Sequence, residues 1–263
     1  MLALKRLFKR NTHNLFFKLL SSAGRSINRF YENRNHDTQS NGEEWLLQKI
    51  SETNPKVIFD VGANTGKYCL LAKKHNPATQ VICFEPVKST FSTLTSIVGS
   101  LPNVSLVNSG LFDENKKLTI NIYPSHTHAS LFDLKAIPYE SVGKEEIDLI
   151  SGDDYIKANK VEFIDILKLD VEGAELNAIK GCKNALAQKE VRLIQFEYGY
   201  INITTKNLLI DYYEYLSQFG YIVGKLYPKK VEFREYKQKD EDFIGPNMIA
   251  IRRDDTELIK LLS

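Results

Sequence analysis

Four carboxylates close apolar runs in this chain. Asp60 follows Val57, Ile58 and Phe59, Glu85 follows residues 80–84, Asp170 follows residues 164–169 with Glu172 two positions on, and Glu197 follows residues 191–196. A carboxylate at the end of an apolar run is costly to bury unless it is paired, solvated or bound to something, so such positions are candidates for chemistry. It can hold hydroxyls, a cation, or the proton of an attacking group. The first of the four enters a turn, Gly62-Ala63-Asn64-Thr65-Gly66, whose glycines free the backbone to bend and to be approached closely.

The ligand of that turn follows from what it lacks. A dinucleotide turn needs G-x-G-x-x-G and a P-loop needs G-x-x-x-x-G-K-[ST], and residues 62–66 have neither spacing. Asp60 at the mouth would repel phosphates, yet it suits a ligand carrying an ammonium and a sulfonium, which is what S-adenosylmethionine presents. Glu85 stands about 20 positions past the turn, where an acid at a strand tip accepts hydrogen bonds from ribose hydroxyls. Asp170 and Glu172 would then hold the acceptor, a metal, or the proton of the attacking group. The bland alternative for Glu172 is that it and Glu175 only complement the positive N-terminus of a following helix.

The elements that must place these residues alternate regularly. The spacing predicts a strand from Val57, a helix over 67–75 ended by Asn76-Pro77, a strand over 80–84, a helix to Val98 closed by Gly99, and a strand over 104–107. Central strands over 163–169 and 191–196 follow, then an aromatic helix over 207–219 whose Tyr212, Tyr213 and Tyr215 read as core. The last two strands are expected at 221–226 and 247–252, with the charged segment 229–242 as the hairpin between them. This is the pattern of a doubly wound parallel α/β sheet, which binds ligands beyond the carboxyl ends of its strands. The third tip, Ser109-Gly110, is accordingly placed at the edge of an adenine site. Residues 118–123 alternate and are expected as an added strand. Residues 124–143 show no clear period, and His126 and His128 within them are candidate acid/base groups near the acceptor or simply solvated.

With 263 residues, one large domain over 41–263 suffices after a basic amphipathic arm and linker over 1–40. The net charge of +2 hides an asymmetry: Lys5, Arg6, Lys9, Arg10, Lys18, Arg25, Arg29 and Arg34 face only Glu32 and Asp37 in the first forty residues. The remainder is therefore slightly acidic, which argues against a nucleic-acid groove there. The arm suits an anionic membrane or a protein partner, or packs on the domain as an ordinary helix. Cys69, Cys83 and Cys182 show no metal or redox spacing and are expected as reduced packing residues. No apolar run approaches the length of a membrane span and Lys18 interrupts the one signal-like cluster, so a cytoplasmic protein, peripheral to a membrane if the arm binds one, is expected.

The pieces FDVGANTGKY (59–68), FEP (84–86), DDYI (153–156), ILKLDVEGAELNAIKGC (166–182) and FE (196–197) together make the chain resemble the FkbM family of S-adenosylmethionine-dependent methyltransferases. The resemblance, over about 55–225, implies a Rossmann-like seven-stranded methyltransferase sheet with helices on both faces and an antiparallel last strand. It implies O-methylation of a sugar, glycan or other hydroxylated small molecule, and no residue is assigned to a metal. Asp60, Gly62 and Gly66 would line the methionine moiety, Glu85 the ribose, and Asp170 with Glu172 the acceptor side. Asn64 stands where many methyltransferase loops have a middle glycine. Two rivals remain on the residues alone: a metal-dependent sugar-nucleotide glycosyltransferase using Asp170-Val171-Glu172, and a non-catalytic nucleotide-binding module docked through its arm.

Overall fold

The computed structural model describes residues 6, 8–10, 12–123, 129–130 and 142–263. Its main sheet starts from three strands with nearly continuous apolar runs, β1 (Val57–Val61), β2 (Gln80–Phe84) and β3 (Val104–Val107). Such runs fit strands covered on both faces. After these come β4 (Gly110–Phe112), β5 (Lys116–Ile122), β6 (Ala129–Ser130), β7 (Gly143–Ser151), β8 (Ile164–Leu169), β9 (Val191–Glu197), β10 (Tyr221–Tyr227), β11 (Lys230–Phe233) and β12 (Asn247–Arg252). The main sheet has the order β11-β10-β12-β9-β8-β1-β2-β3. Neighbours from β3 through β9 pair in parallel, while β12 is antiparallel to both β9 and β10. The expected α/β sheet with an antiparallel last strand is therefore present. It has eight strands where seven were expected, because residues 230–233 of the charged hairpin pair antiparallel with β10 along the open edge.

Alternation along each strand sends side chains to two cores. Phe59, Ile82, Leu167 and Ile194 enter one layer with Ile179, Leu186 and Tyr212. Ile58, Val81, Ile166 and Leu193 enter the other with Leu46, Leu47, Cys69 and Leu94. The covering helices are α2 (Glu43–Ser51), α3 (Lys67–His75) and α4 (Lys88–Val98) on the second side, with α5 (Gly152–Asn159), α6 (Glu175–Lys180), α7 (Lys183–Ala187) and α9 (Leu209–Ser217) on the first; α8 (Ile201–Thr205) follows β9, and α10 (Thr256–Leu262) ends the chain. Asp153, in the first turn of α5, also caps α7: its carboxylate accepts from the N–H groups of Asn184 and Ala185 at 2.8 and 3.0 Å.

Two features were not visible in the sequence pattern. The strand expected over 118–123 belongs to a second sheet of order β4-β7-β5-β6, which puts Ile120, Ile147, Leu149 and Phe112 in a core of its own. The polar run 35–42 is no free linker: Asn33 and Asn41 are buried, and Asn33 Nδ2 donates to Asn41 O at 2.8 Å and to Leu226 O at 3.0 Å. Ahead of it, α1 (Leu15–Tyr31) has no buried residue, so the packed-helix reading of the arm does not hold for these residues.

Candidate active site

A cavity of about 860 Å³ opens beyond the carboxyl ends of β1, β2, β8 and β9. That volume falls within the range of pockets that take a cofactor-sized ligand. One wall is the turn after β1. Gly62 N and Ala63 N each donate to Phe84 O at 3.0 Å, which ties the turn to the tip of β2. Gly62 has φ +76°, and a Cβ there would lie 1.9 Å from Asp170 O, so no other residue fits between the β1 and β8 tips. Across the turn, Glu85 accepts from Asn64 N at 3.1 Å and Val87 N at 2.9 Å. Burial pushes its pKa up to about 7 against those hydrogen bonds. The second sheet closes this end with Leu111, Phe112, Ile147 and Leu149.

The opposite end is acidic. Asp170 at the tip of β8 and Glu197 at the tip of β9 both line it, and Asp170, Glu172 and Glu175 each act on Glu197 electrostatically. Burial, and then the three neighbouring carboxylates, raise the Glu197 pKa well above its ordinary value. Asp170, 48% exposed, reaches the cavity and stands 3.6 Å from Lys168 Nζ. Glu172 has left-handed backbone (φ +52°), and burial followed by Asp170 and Glu175 lifts its pKa to about 8. The former linker forms the rim: His36 Nδ1 lies 3.8 Å from Glu197 Oε1, and the Arg34 guanidinium sits 4.7 Å from the centre of the Tyr200 ring.

Beneath the floor lies an ion group that the sequence reading passed over. Lys168 Nζ is 3.0 Å from Asp60 Oδ1 and donates to Gly62 O at 3.4 Å. Burial alone would lower the lysine pKa, but Asp60, Asp170 and Glu43 outweigh it and hold it above its ordinary value. Glu43 in turn accepts from Gln195 Nε2 at 2.7 Å and Asn41 Nδ2 at 3.0 Å. The available signal was a lone cation inside an otherwise apolar strand, ILKL.

The structure thus brings Gly62, Asn64, Glu85, Gly110, Asp170 and Glu172 onto one cavity. Asp60 is off the wall: fully buried, it stands 3.0 Å from Lys168 Nζ. Gly66 and Ser109 also lie off the wall. Gly66 N donates to Ala63 O at 2.8 Å to close the turn, and the Ser109 hydroxyl donates to Asp148 O at 2.8 Å. His126 and His128 lie outside the described residues. Arg34, His36 and Lys168 line the cavity and were not among the expected site residues, and Glu197, expected only as an acid at a strand tip, lines it too.

The family model described as "Methyltransferase FkbM domain" matches residues 60–223, more than half of the chain. The chain belongs to the FkbM methyltransferase family. The methyl donor of this family is S-adenosylmethionine. The site fits that donor, because Glu85 keeps lone pairs for ribose hydroxyls, the residue 62–65 turn offers backbone without bulk, and Lys168, the cation under the turn, is already held by carboxylates. Among relatives, the FkbM chain is 29% identical over 159 residues to hexuronic acid methyltransferase AglP of Haloferax volcanii, covering 59% of this chain and 60% of that protein. It is 25% identical over 193 residues to 2-O-methyltransferase NoeI of Sinorhizobium fredii, covering 69% and 79% respectively. A solved methyltransferase FkbM from Methylobacillus flagellatus KT superimposes with a TM-score of 0.48 at 16% identity, over 75% of this chain and 44% of that one. The match thus spans less than two thirds of the length of AglP. Membership of this family counts against both the glycosyltransferase and the non-catalytic readings.

Proposed function

We propose that the protein transfers the methyl group of S-adenosylmethionine to a hydroxyl of a sugar, glycan or other hydroxylated small molecule. The observation that carries this is the pair of acids Asp170 and Glu197 at adjacent strand tips, lining the same cavity as the residue 62–65 turn and Glu85. AglP and NoeI, named for a hexuronic acid and for 2-O-methylation, support a sugar acceptor. The donor supplies an already activated methyl group. Glu85 would hold its ribose and residues 62–65 its methionine end.

The chain's own task is alignment and proton removal. Fixing an acceptor oxygen against the donor is worth on the order of 7–11 kcal/mol. Asp170 takes the hydroxyl proton, which contributes roughly 10²- to 10⁴-fold. Glu197 at the adjacent strand tip and Lys168, 3.6 Å away, position the Asp170 side chain. Glu172 and the His36 ring edge the acceptor space, and we keep His126 and His128 as candidates for the same side.

Three buried free thiols support a reducing, cytoplasmic setting. Among the described residues no helix is long and apolar enough to cross a membrane. The exposed arm is left as the part that meets a membrane or another protein.

The test is Asp170→Asn with S-adenosylhomocysteine calorimetry and isotopic methyl uptake over a panel of hydroxylated sugars. Product affinity should stay within a few-fold and turnover should fall by about 10²- to 10⁴-fold. Normal turnover in Asp170→Asn removes the base assignment. Wild-type protein that ignores donor and product alike removes the function.

A further inference from the structure

Helix α1 has two faces and no buried residue; among the described residues the ring contact to it from outside is that of Phe8 on Phe17 at 5.3 Å, away from the arc described next. At about 3.6 residues per turn, Leu15, Leu19, Phe30, Phe16, Ile27 and Tyr31 fall within about 160° of arc, and Lys18, Arg25 and Arg29 cluster on the other side. Leu15 is 71% exposed, Ile27 67% and Phe30 84%. Residues 1–31 contain seven lysines and arginines and no aspartate or glutamate. A protein partner's buried interface core is usually depleted of charge. Cations beside a wide apolar arc instead match a bilayer, where the arc enters the acyl boundary and the long basic side chains reach the phosphates.

We infer that α1 is an in-plane anchor for an anionic lipid bilayer and that it holds the mouth of the cavity at the membrane surface. The link from helix to cavity is short and fixed. Glu32 accepts from Lys225 Nζ at 3.1 Å and Tyr227 OH at 3.2 Å, Asn33 is bonded to Leu226 O, and Arg34 already lines the cavity. Three residues from Tyr31 to Arg34 span at most about 10 Å, so docking of α1 fixes the distance of the rim from the lipid headgroups. The inference rests on the faces of α1 and not on the chemistry of the site, so either can fail alone.

The full chain is sedimented with vesicles of phosphatidylcholine alone or mixed with phosphatidylglycerol, at about 0.1 M and about 1 M salt, where the Debye length falls from about 10 to about 3 Å. The protein is expected to pellet with the mixed vesicles at low salt, and to do so more weakly at high salt or with the neutral vesicles. Each basic residue near an anionic surface is worth about five-fold, so the triple variant Lys18→Gln, Arg25→Gln, Arg29→Gln should bind on the order of a hundred-fold more weakly. Leu19→Gln should weaken binding without changing the salt dependence. Thermal melting equal to wild type shows that each variant is folded. Protein that stays in the supernatant with mixed vesicles at low salt overturns the inference, as does equal binding to both vesicles at both salts. A vesicle-free dimer by light scattering that Leu19→Gln dissociates also overturns it, since a second copy would then cover the face.

Discussion

At the scale of residues, Lys168 shows how the site is held from below. It is 3.0 Å from a carboxylate with no solvent exposure, Asp60, and within reach of Asp170 above. Removing one member of a buried pair leaves the other uncompensated, a loss of about 3–5 kcal/mol, whereas removing both can be nearly neutral. Lys168→Met should therefore lower the urea midpoint sharply, and Asp60→Asn combined with Lys168→Met should recover much of it. Additive losses in that double-mutant cycle would mean that the two do not act as a pair. Glu175 offers a pH test. Its Oε1 accepts from Val171 N and Gly173 N at 3.0 and 3.2 Å, and burial raises its pKa to about 7. The folded protein thus keeps a proton that the unfolded chain releases near pH 4.5, so the contribution is full below that pH and is lost as pH rises through 7. The loss is at most about 3 kcal/mol. Wild-type stability should fall between pH 5 and pH 8, and Glu175→Gln should flatten that fall; an unchanged slope would clear Glu175 of responsibility.

At the scale of elements, the turn after β1 and the tip of β8 are one piece of backbone. Asp170 N donates to Val61 O at 3.1 Å, and Gly62 leaves no room for a side chain against Asp170 O. Left-handed backbone alone costs a non-glycine residue about 1–2 kcal/mol. Gly62→Ala must add to this a movement of the β8 tip that carries Asp170. Both melting temperature and turnover should drop together. Gly143→Ala, where an added Cβ meets nothing within 4 Å, should change stability by less than about 0.5 kcal/mol. Equal melting of the two variants would show that the β1 turn tolerates a side chain after all.

At the scale of the whole molecule, the segment after α1 belongs to the domain and supplies part of the cavity. Deleting residues 1–31 should leave the melting temperature close to that of the full chain, because α1 buries nothing. Deleting residues 1–41 removes Asn33, its two hydrogen bonds, and the Arg34 and His36 rim. Each buried hydrogen-bonding group left unsatisfied costs about 1–3 kcal/mol. The longer deletion should thus melt lower and weaken acceptor binding more than donor binding. If both truncations behave alike, residues 33–41 contribute nothing to the fold.

The parallel strands, their acidic tips and the glycine turn could be read from the residues, because each is a local pattern: an apolar run, a turn of small residues, a carboxylate at the join. Asp170, Glu172, Glu85 and Gly62 were placed on that basis, and they do share a cavity. What could not be read depended on partners far apart in sequence. Asn33 bonds to a carbonyl 193 positions away, and β5 pairs with β7, more than twenty positions further on, in a second sheet. Asp60 was expected at the ligand and lies under the floor, because the cation it meets, Lys168, arrives on a neighbouring strand. Local periodicity fixes which residues form a strand and which end of it carries an acid. Only the pairing of strands decides which charge neutralises that acid, and therefore which carboxylate remains to meet a substrate.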